Sequence, residues 1–311
     1  MKIYIYGSMA YDRIMGFPDK FAAHILPESI DRLNVAFNMT HLVEKFGGTA
    51  GNIAYSLALL GEAPTIIAAV GPDFDRYATW LEQNGLSRDG IKTVETEFTA
   101  GAYIATDSDN NQITFFNLGA MKERCDFTLK NDEKSLVIIS PGNPDDMLHY
   151  SRSCKTLQIP YVFDPGQTIP VLSGKMIAAM IKGSFMVITN DYELELIVRK
   201  TNLRQDAIMD QTDVLVTTLG AEGALIREKG SETRIPPAVV KKALDPTGAG
   251  DAFRSGLIKG LILEKEVIDA AKMGTVCAAF CVEKEGTQEH HFTLEEFERR
   301  LKLFEAGRHG A

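Results

Sequence analysis

Two segments pair residue types with spacings that suit chemistry on an anion. In DPTGAGDAFRSGLIKGL, residues 245–261, Gly248, Ala249 and Gly250 carry no bulky side chains. Backbone N–H groups of such a turn can converge, with the positive end of a following helix, on a phosphate or oxyanion. Phe253, Gly256, Leu257, Gly260 and Leu261 fall on one helical face, which predicts a helix beginning near Asp251. A carboxylate at that lip can accept a proton from an attacking hydroxyl while the amides hold the developing charge. A plain capped turn has the same bare pattern. The segment is neither a Walker A loop, because no Lys-Ser/Thr follows the glycines, nor GxGxxG, because Phe253 stands in the way. In FGGTAGNIAYSLALLG, residues 46–61, Gly47 and Gly48 lead into a helix with the apolar stripe Ile53, Leu57, Leu60, and Asn52 sits one turn in. Paired glycines permit close backbone approach to a ligand, and an asparagine offers a donor and an acceptor; a simple Gly-rich loop is the plainer reading.

Short β-branched runs alternate with helical patterns along the chain: 3–6, 66–70, 137–139, 161–163, 186–188 and 214–217. That rhythm predicts an α/β protein with a mostly parallel central sheet covered by helices. Two stretches break it. DRIMGF and LNVAFN near the N-terminus, and FTAGAYIATDSDNNQITFF around 98–116, alternate with period two, as antiparallel strands solvated on one side do. They are expected to form a small separate sheet, a lid over a cleft at the loop end of the main sheet. The expected division is 1–11, 43–97 and 118–311 for the core, 12–42 and 98–117 for the lid. The tail EAGRHGA is expected to fray.

The chain has 311 residues, enough for about two domains or one large α/β domain with an insertion. Its 33 Lys+Arg against 42 Asp+Glu form no dense basic patch, which argues against nucleic acid as a partner. No apolar run approaches the roughly 20 residues that span a bilayer, so no membrane association is expected. The start MKIYIYGS reads as a strand rather than a secretory leader, and the expected location is cytoplasmic. Cys125, Cys154, Cys277 and Cys281 are too sparse for a disulfide framework and read as buried thiols.

The two segments together, in this order and at this separation, resemble the ribokinase-like (PfkB) carbohydrate kinases, whose signatures are GGxxxN and a DTxGAGD-type turn. The NxxE at Asn190–Glu193 and TLGxxG at Thr218–Gly223 fit as well. Pro246 departs from many sugar-kinase members; the DPTGxGDAFR form, the SMAYD start and the GTQ near the end resemble the bacterial adenosine kinase branch. The resemblance implies a three-layer ribokinase-like core with a β lid, and an ATP- and Mg²⁺-dependent transfer to the 5′-hydroxyl of a nucleoside, adenosine to AMP in the first instance. Phosphorylation of a free sugar such as ribose or fructose, or a catalytically idle nucleoside-binding regulator, are the alternatives.

The same resemblance implies roles. Asp251 would be the base and the amides of Gly248, Ala249, Gly250 and Asp251 the anion hole. Ser8, Asp12, Gly48 and Asn52 would face the sugar. Asn190 and Glu193 would organise Mg²⁺ through water, and Thr218, Gly220, Gly223, Gly286 and Thr287 would surround the nucleotide. An aromatic on a lid strand would lie against the base. Phe115 and Phe116 point to opposite sides, so only one can do so, and Phe116 is the choice. Gln167 is a candidate contact to base or ribose. Lid faces carrying Val35, Phe37, Tyr103 and Ile104 suggest a homodimer through the lid.

Overall fold

The computed structural model describes residues 1–25, 31–32, 34–131, 133–307. In chain order the strands are β1 (Lys2–Tyr6), β2 (Ala10–Gly16), β3 (His41–Gly47), β4 (Thr65–Val70), β5 (Ile91–Thr93), β6 (Ala100–Thr106), β7 (Gln112–Asn117), β8 (Ser135–Ile139), β9 (Tyr161–Phe163), β10 (Ser184–Asn190), β11 (Thr212–Thr218), β12 (Ala224–Glu228) and β13 (Ser231–Ile235). The helices are α1 (Thr49–Leu59), α2 (Asp75–Gln83), α3 (Pro144–Leu157), α4 (Gly174–Ile181), α5 (Asp191–Thr201), α6 (Gln205–Met209), α7 (Ala249–Ile262), α8 (Val267–Val282) and α9 (Leu294–Glu305).

The large sheet runs β13-β12-β11-β10-β9-β8-β1-β4-β5 and is parallel from β11 to β5, with the β12–β13 hairpin antiparallel at one edge. Each expected β-branched run lies in one of its strands. Alternation along these strands sends Ile3 and Ile5 to one helical layer and Tyr4 and Tyr6 to the other. The first layer is built from α1, α2, α7 and α8, through residues such as Ile53, Tyr77, Leu257 and Ala270. The second is α3–α6, through Tyr150, Met180, Ile197 and Ile208. The result is a three-layer α/β fold of the ribokinase type. All four cysteines are free and buried.

The lid is a separate sheet of order β3-β2-β6-β7, with β2 and β6 parallel at its centre and β3 and β7 antiparallel at its edges. The expected strand around 33–38 is not there: residues 34–39 have no strand pairing, Leu33 lies outside the described residues, and the strand paired with β2 is HLVEKFG instead. Phe37 packs edge-on against Phe17 and Phe21 at 5.0 and 5.1 Å between ring centres, plugging the outer lid face instead of extending its ladder. The 42/43 boundary therefore falls within β3, whose pairing with β2 runs on to Gly47. The last four residues of the tail lie outside the described part.

Candidate active site

Gly47 and Gly48 end β3 under α1, and the local geometry explains both. A Cβ at Gly47 would stand 2.4 Å from Asp12 Oδ2, so the missing side chain is the space the Asp12 carboxylate occupies. Gly48 has φ of +87° with backbone atoms of Ser8, Met9 and Ala10 2.6–2.8 Å from where its Cβ would be, so an L side chain fails there on both counts. Ser8 starts the helix that follows: its Oγ accepts from Thr49 N–H at 3.0 Å and its carbonyl from Ala50 N–H at 3.0 Å. The Ser8 hydroxyl therefore caps α1, retaining its proton for a further partner.

The DPTGAGD turn meets this region from the other side. The helix starts at Ala249, two residues before the position that the periodicity predicts, because Gly248 takes the left-handed conformation (φ +79°) that turns the chain into it. Asp251 thus sits inside the first turn rather than ahead of it. Ala249 N–H is directed to Pro246 O at 3.2 Å, whereas Gly250 and Asp251 N–H, as first-turn amides, have no carbonyl four residues back within the helix. Asp245 ties the turn to the next loop, accepting from Thr247 N–H and Gly286 N–H at 2.9 Å each. Burial opposes these bonds, but with Lys45 nearby they hold its carboxyl below the ordinary range.

Asp251 is half-buried and accepts from Asn52 Nδ2 at 2.8 Å, so the two motifs, 199 residues apart, touch through the base candidate itself. Burial pushes its carboxyl up, while the charge of Arg254 and the Asn52 bond pull it back. Asp12 lies close enough to feel Asp251 and Asp245; burial first, then those two charges, raise it to about 6. Beneath them Arg254 pairs with Asp164 at 2.5 Å, side chains 8% and 1% exposed, and Arg254 Nη1 lies 2.8 Å from where a Gly250 Cβ would be. A buried cation is thereby held under the cradle. Neither Arg254 nor Asp164 follows from the motif spacing; the only signal was the arginine in DAFR, one helical turn after Asp251.

Asn190 ends β10 and caps α5 in a reciprocal box: its Oδ1 accepts from Glu193 N–H at 2.7 Å, and Glu193 Oε2 accepts from Asn190 N–H at 2.8 Å. The other Glu193 oxygen carries no bond among the described residues, and the carboxylate is in electrostatic reach of Asp251. Among the described residues no three His, Cys, Asp or Glu side chains cluster to hold a metal. A single carboxylate with an amide oxygen fits Mg²⁺, which keeps several waters and leans on substrate phosphates; Glu193 and Asn190 would hold it, and it would neutralise phosphate charge. Thr218 ends β11 with its hydroxyl on Thr189 O at 3.3 Å, and Gly220 and Gly223 bound the tight turn after it, at φ +57° and +90°. Gly286 (φ +103°) and Thr287, whose hydroxyl donates to Phe46 O at 3.0 Å, follow α8. Gln167 is exposed in the 3₁₀ turn after β9.

Lid register decides between the two phenylalanines. Asp12 pairs with Lys45 on β3 and Ala102 on β6, and Ala102 pairs with Phe116 on β7. Paired residues share a face, so Asp12, Lys45 and Phe116 form one row. Lys45 Nζ donates to Glu285 O at 2.6 Å, which identifies that row as the one facing the core. Phe115 belongs to the opposite face with Arg13, Glu44 and Tyr103, where Arg13 bonds Glu44 at 2.9 Å and Tyr103 Oη at 3.0 Å. Tyr103 and Ile104 thus lie on opposite faces, and Phe37 is engaged within the chain, so the four residues suggested for lid pairing form no single surface.

Residues 3–293 match the pfkB family carbohydrate kinase family. The chain is 30% identical over 277 residues to a nucleoside kinase of Methanocaldococcus jannaschii, covering 88% of this chain and 91% of the relative. The crystal structure of a nucleoside kinase from that species superposes with a TM-score of 0.86 at 28% identity, over 97% of this chain and 98% of the other. The Burkholderia thailandensis nucleoside kinase in complex with inosine superposes with a TM-score of 0.84 at 32% identity, covering 96% and 97%. The same protein has been solved in complex with ADP-inosine.

Proposed function

The chain belongs to the pfkB family of carbohydrate kinases, and from that premise we propose that it transfers the γ-phosphoryl group of ATP to the 5′-hydroxyl of a purine nucleoside, adenosine being the first candidate. The observation that carries the nucleoside reading is the row Asp12–Ala102–Phe116, a carboxylate and an aromatic ring on the lid face that looks toward Asp251. A carboxylate accepts two ribose hydroxyls, and an exposed ring stacks on a base without reading its edge. Similarity to nucleoside kinases, one of them solved with inosine, supports a purine and makes inosine the competitor to adenosine.

In this reading Asp251 takes the hydroxyl proton, and the open amides of Gly250 and Asp251 meet the oxygens of the transferring group. Arg254 beneath them offsets charge. Because such a transfer has a loose transition state, alignment and electrostatics supply most of the rate, and Asp251 need not be a strong base.

The deciding experiment compares adenosine, inosine, ribose and fructose as acceptors with labelled ATP, on wild type and on Phe116→Ala. The variant should weaken purine nucleosides by roughly 1–3 kcal/mol and leave free ribose nearly unchanged, since a sugar has no ring face to stack. Equal losses for nucleoside and ribose, or wild-type phosphorylation of sugars alone, would overturn the nucleoside reading; no phosphorylation of any acceptor with nucleoside binding intact would favour the idle regulator.

Asp12→Ala should raise the nucleoside KM and cut kcat/KM by a few kcal/mol at most, on the order expected for two hydroxyl contacts to a charged group, with ATP affinity unchanged by calorimetry. Because the Asp12 carboxyl titrates at about 6, wild-type nucleoside KM should also rise on acidification through that pH, as protonation removes an acceptor. Asp12→Asn should lack that rise. A loss of ATP affinity with nucleoside affinity intact would assign Asp12 to the other subsite.

A further inference from the structure

A buried relay reaches Asp251 from α2. Trp80 Nε1 on α2 donates to Gln288 Oε1 at 2.9 Å; Gln288 Nε2 donates to Asn52 Oδ1 at 2.9 Å; Asn52 Nδ2 donates to Asp251 Oδ2 at 2.8 Å. Gln288 also donates to Tyr77 Oη at 2.5 Å, and Tyr77 donates its own proton to Gly47 O at 2.8 Å. Gln288 and Asn52 are 3% and 5% exposed, so water cannot easily substitute for any partner.

Amides can turn either way, but here the ends of the network cannot. The Trp80 indole N–H can only donate, so the Gln288 oxygen must face it. The Gly47 carbonyl can only accept, so Tyr77 spends its proton there and its oxygen must accept from Gln288. Two one-way groups force the same orientation of one amide, which then forces Asn52 to turn its carbonyl toward Gln288 and its NH₂ toward Asp251. Asn52 is left with a single uncommitted N–H, fewer groups for substrate than the motif alone suggests.

We propose that Gln288, its orientation locked by Trp80 and Tyr77, is a positioning residue for the phosphoryl-transfer reaction: through Asn52 it presents a donor to Asp251 Oδ2 and leaves Oδ1 to receive the hydroxyl proton. The inference rests on the reading of Asp251 as the base. The three-residue GTQ, residues 286–288, thereby combines a turn beside the cradle, a threonine against Phe46 and the glutamine of the relay. Without Gln288 only the charge of Asp251 itself holds Asn52 in this orientation, and once that carboxyl is protonated the Asn52 oxygen is free to turn toward it, which favours the protonated form.

Other groups act on Asp251 as well: Arg254 from its own helix, Glu193 of α5, Asp12 of the lid, Asp164 after β9, Cys281 of α8 and Tyr77 of α2. Q288L, Q288E and W80F leave all of these in place. W80F also keeps a ring between Phe46 and Tyr55, which stack on Trp80 at 5.5 and 5.6 Å, so the fold is retained even if the Gln288 variants are poorly stable.

The test titrates ¹³C-labelled aspartate carboxyls by NMR, with D251N identifying the Asp251 signal, and measures kcat against pH with ATP, Mg²⁺ and adenosine or inosine. In Q288L the Asp251 midpoint should move up by about one pH unit, and in Q288E by more, because a carboxylate there demands the Asn52 NH₂. The acid limb of kcat should move with it. Near-neutral kcat should fall about 10- to 100-fold in Q288L and a few-fold in W80F, with the ATP KM within about twofold of wild type. An unmoved Asp251 midpoint in both Q288L and W80F overturns the relay. A midpoint that moves while the kcat limb stays put supports the relay and instead removes Asp251 from the base role.

Discussion

Asp251→Asn is expected to fold, to bind ATP and nucleoside with near-normal affinity, and to turn over roughly 10²- to 10⁴-fold more slowly, the usual worth of a positioned proton acceptor. The asparagine oxygen can still accept from Asn52, so the amide turn and the first turn of α7 keep their geometry; what is lost is the site for the hydroxyl proton. Rapid-quench measurement of the first turnover, with binding by calorimetry, separates the two. Turnover within tenfold of wild type would place the proton elsewhere and leave Asp251 only a first-turn carboxylate held by Asn52.

Asp164→Asn should be the most destabilising single change near the site. The Arg254 side chain is almost wholly buried, and its Nε finds no partner among the described residues. Breaking one side of a buried pair typically costs about 3–5 kcal/mol, because the remaining charge is left uncompensated. Denaturant unfolding should show that loss, and the paired replacement Asp164→Leu with Arg254→Met should recover much of it. The double variant should nevertheless remain slow, since the cation under the cradle is gone. Equal destabilisation in single and double variants would mean that packing, not charge, dominates at this spot.

Particular residues show what sequence could and could not display. The β-branched runs marked the parallel strands because a strand buried on both faces has no room for polar alternation, as in Ser135–Ile139. The GG pair and the DPTGAGD turn stood out because glycine is required there, by positive φ at Gly48 and Gly248 and by the space that Asp12 and Arg254 occupy at Gly47 and Gly250. The edge strand His41–Gly47 did not, since its polar Glu44 and Lys45 suit a solvated lid, while neighbouring Phe37 drew attention to a segment that packs without pairing. Asp164 and Gln288 were illegible for another reason: they lie 90 and 236 residues from the partners they serve, and no local period records such a meeting. The capping role of Ser8 was likewise invisible until the start of α1 was fixed in space.

The parallel pair at the centre of the lid bears on how the chain reaches this state. Arg13 on β2 and Tyr103 on β6 are 90 residues apart, and between them the chain must complete α1, β4, α2 and β5 of the main body. Closing so long a loop for a small sheet is unfavourable until the intervening core has already brought the ends together. The lid ladder should therefore be the late-forming and first-opening unit, its β6 and β7 amides exchanging with deuterium well before those of β1 and β8. A substrate bound against Asp12 and Phe116 would then slow exchange in strands that are far apart in sequence at the same time, tying occupancy of the cleft to survival of the lid as a unit.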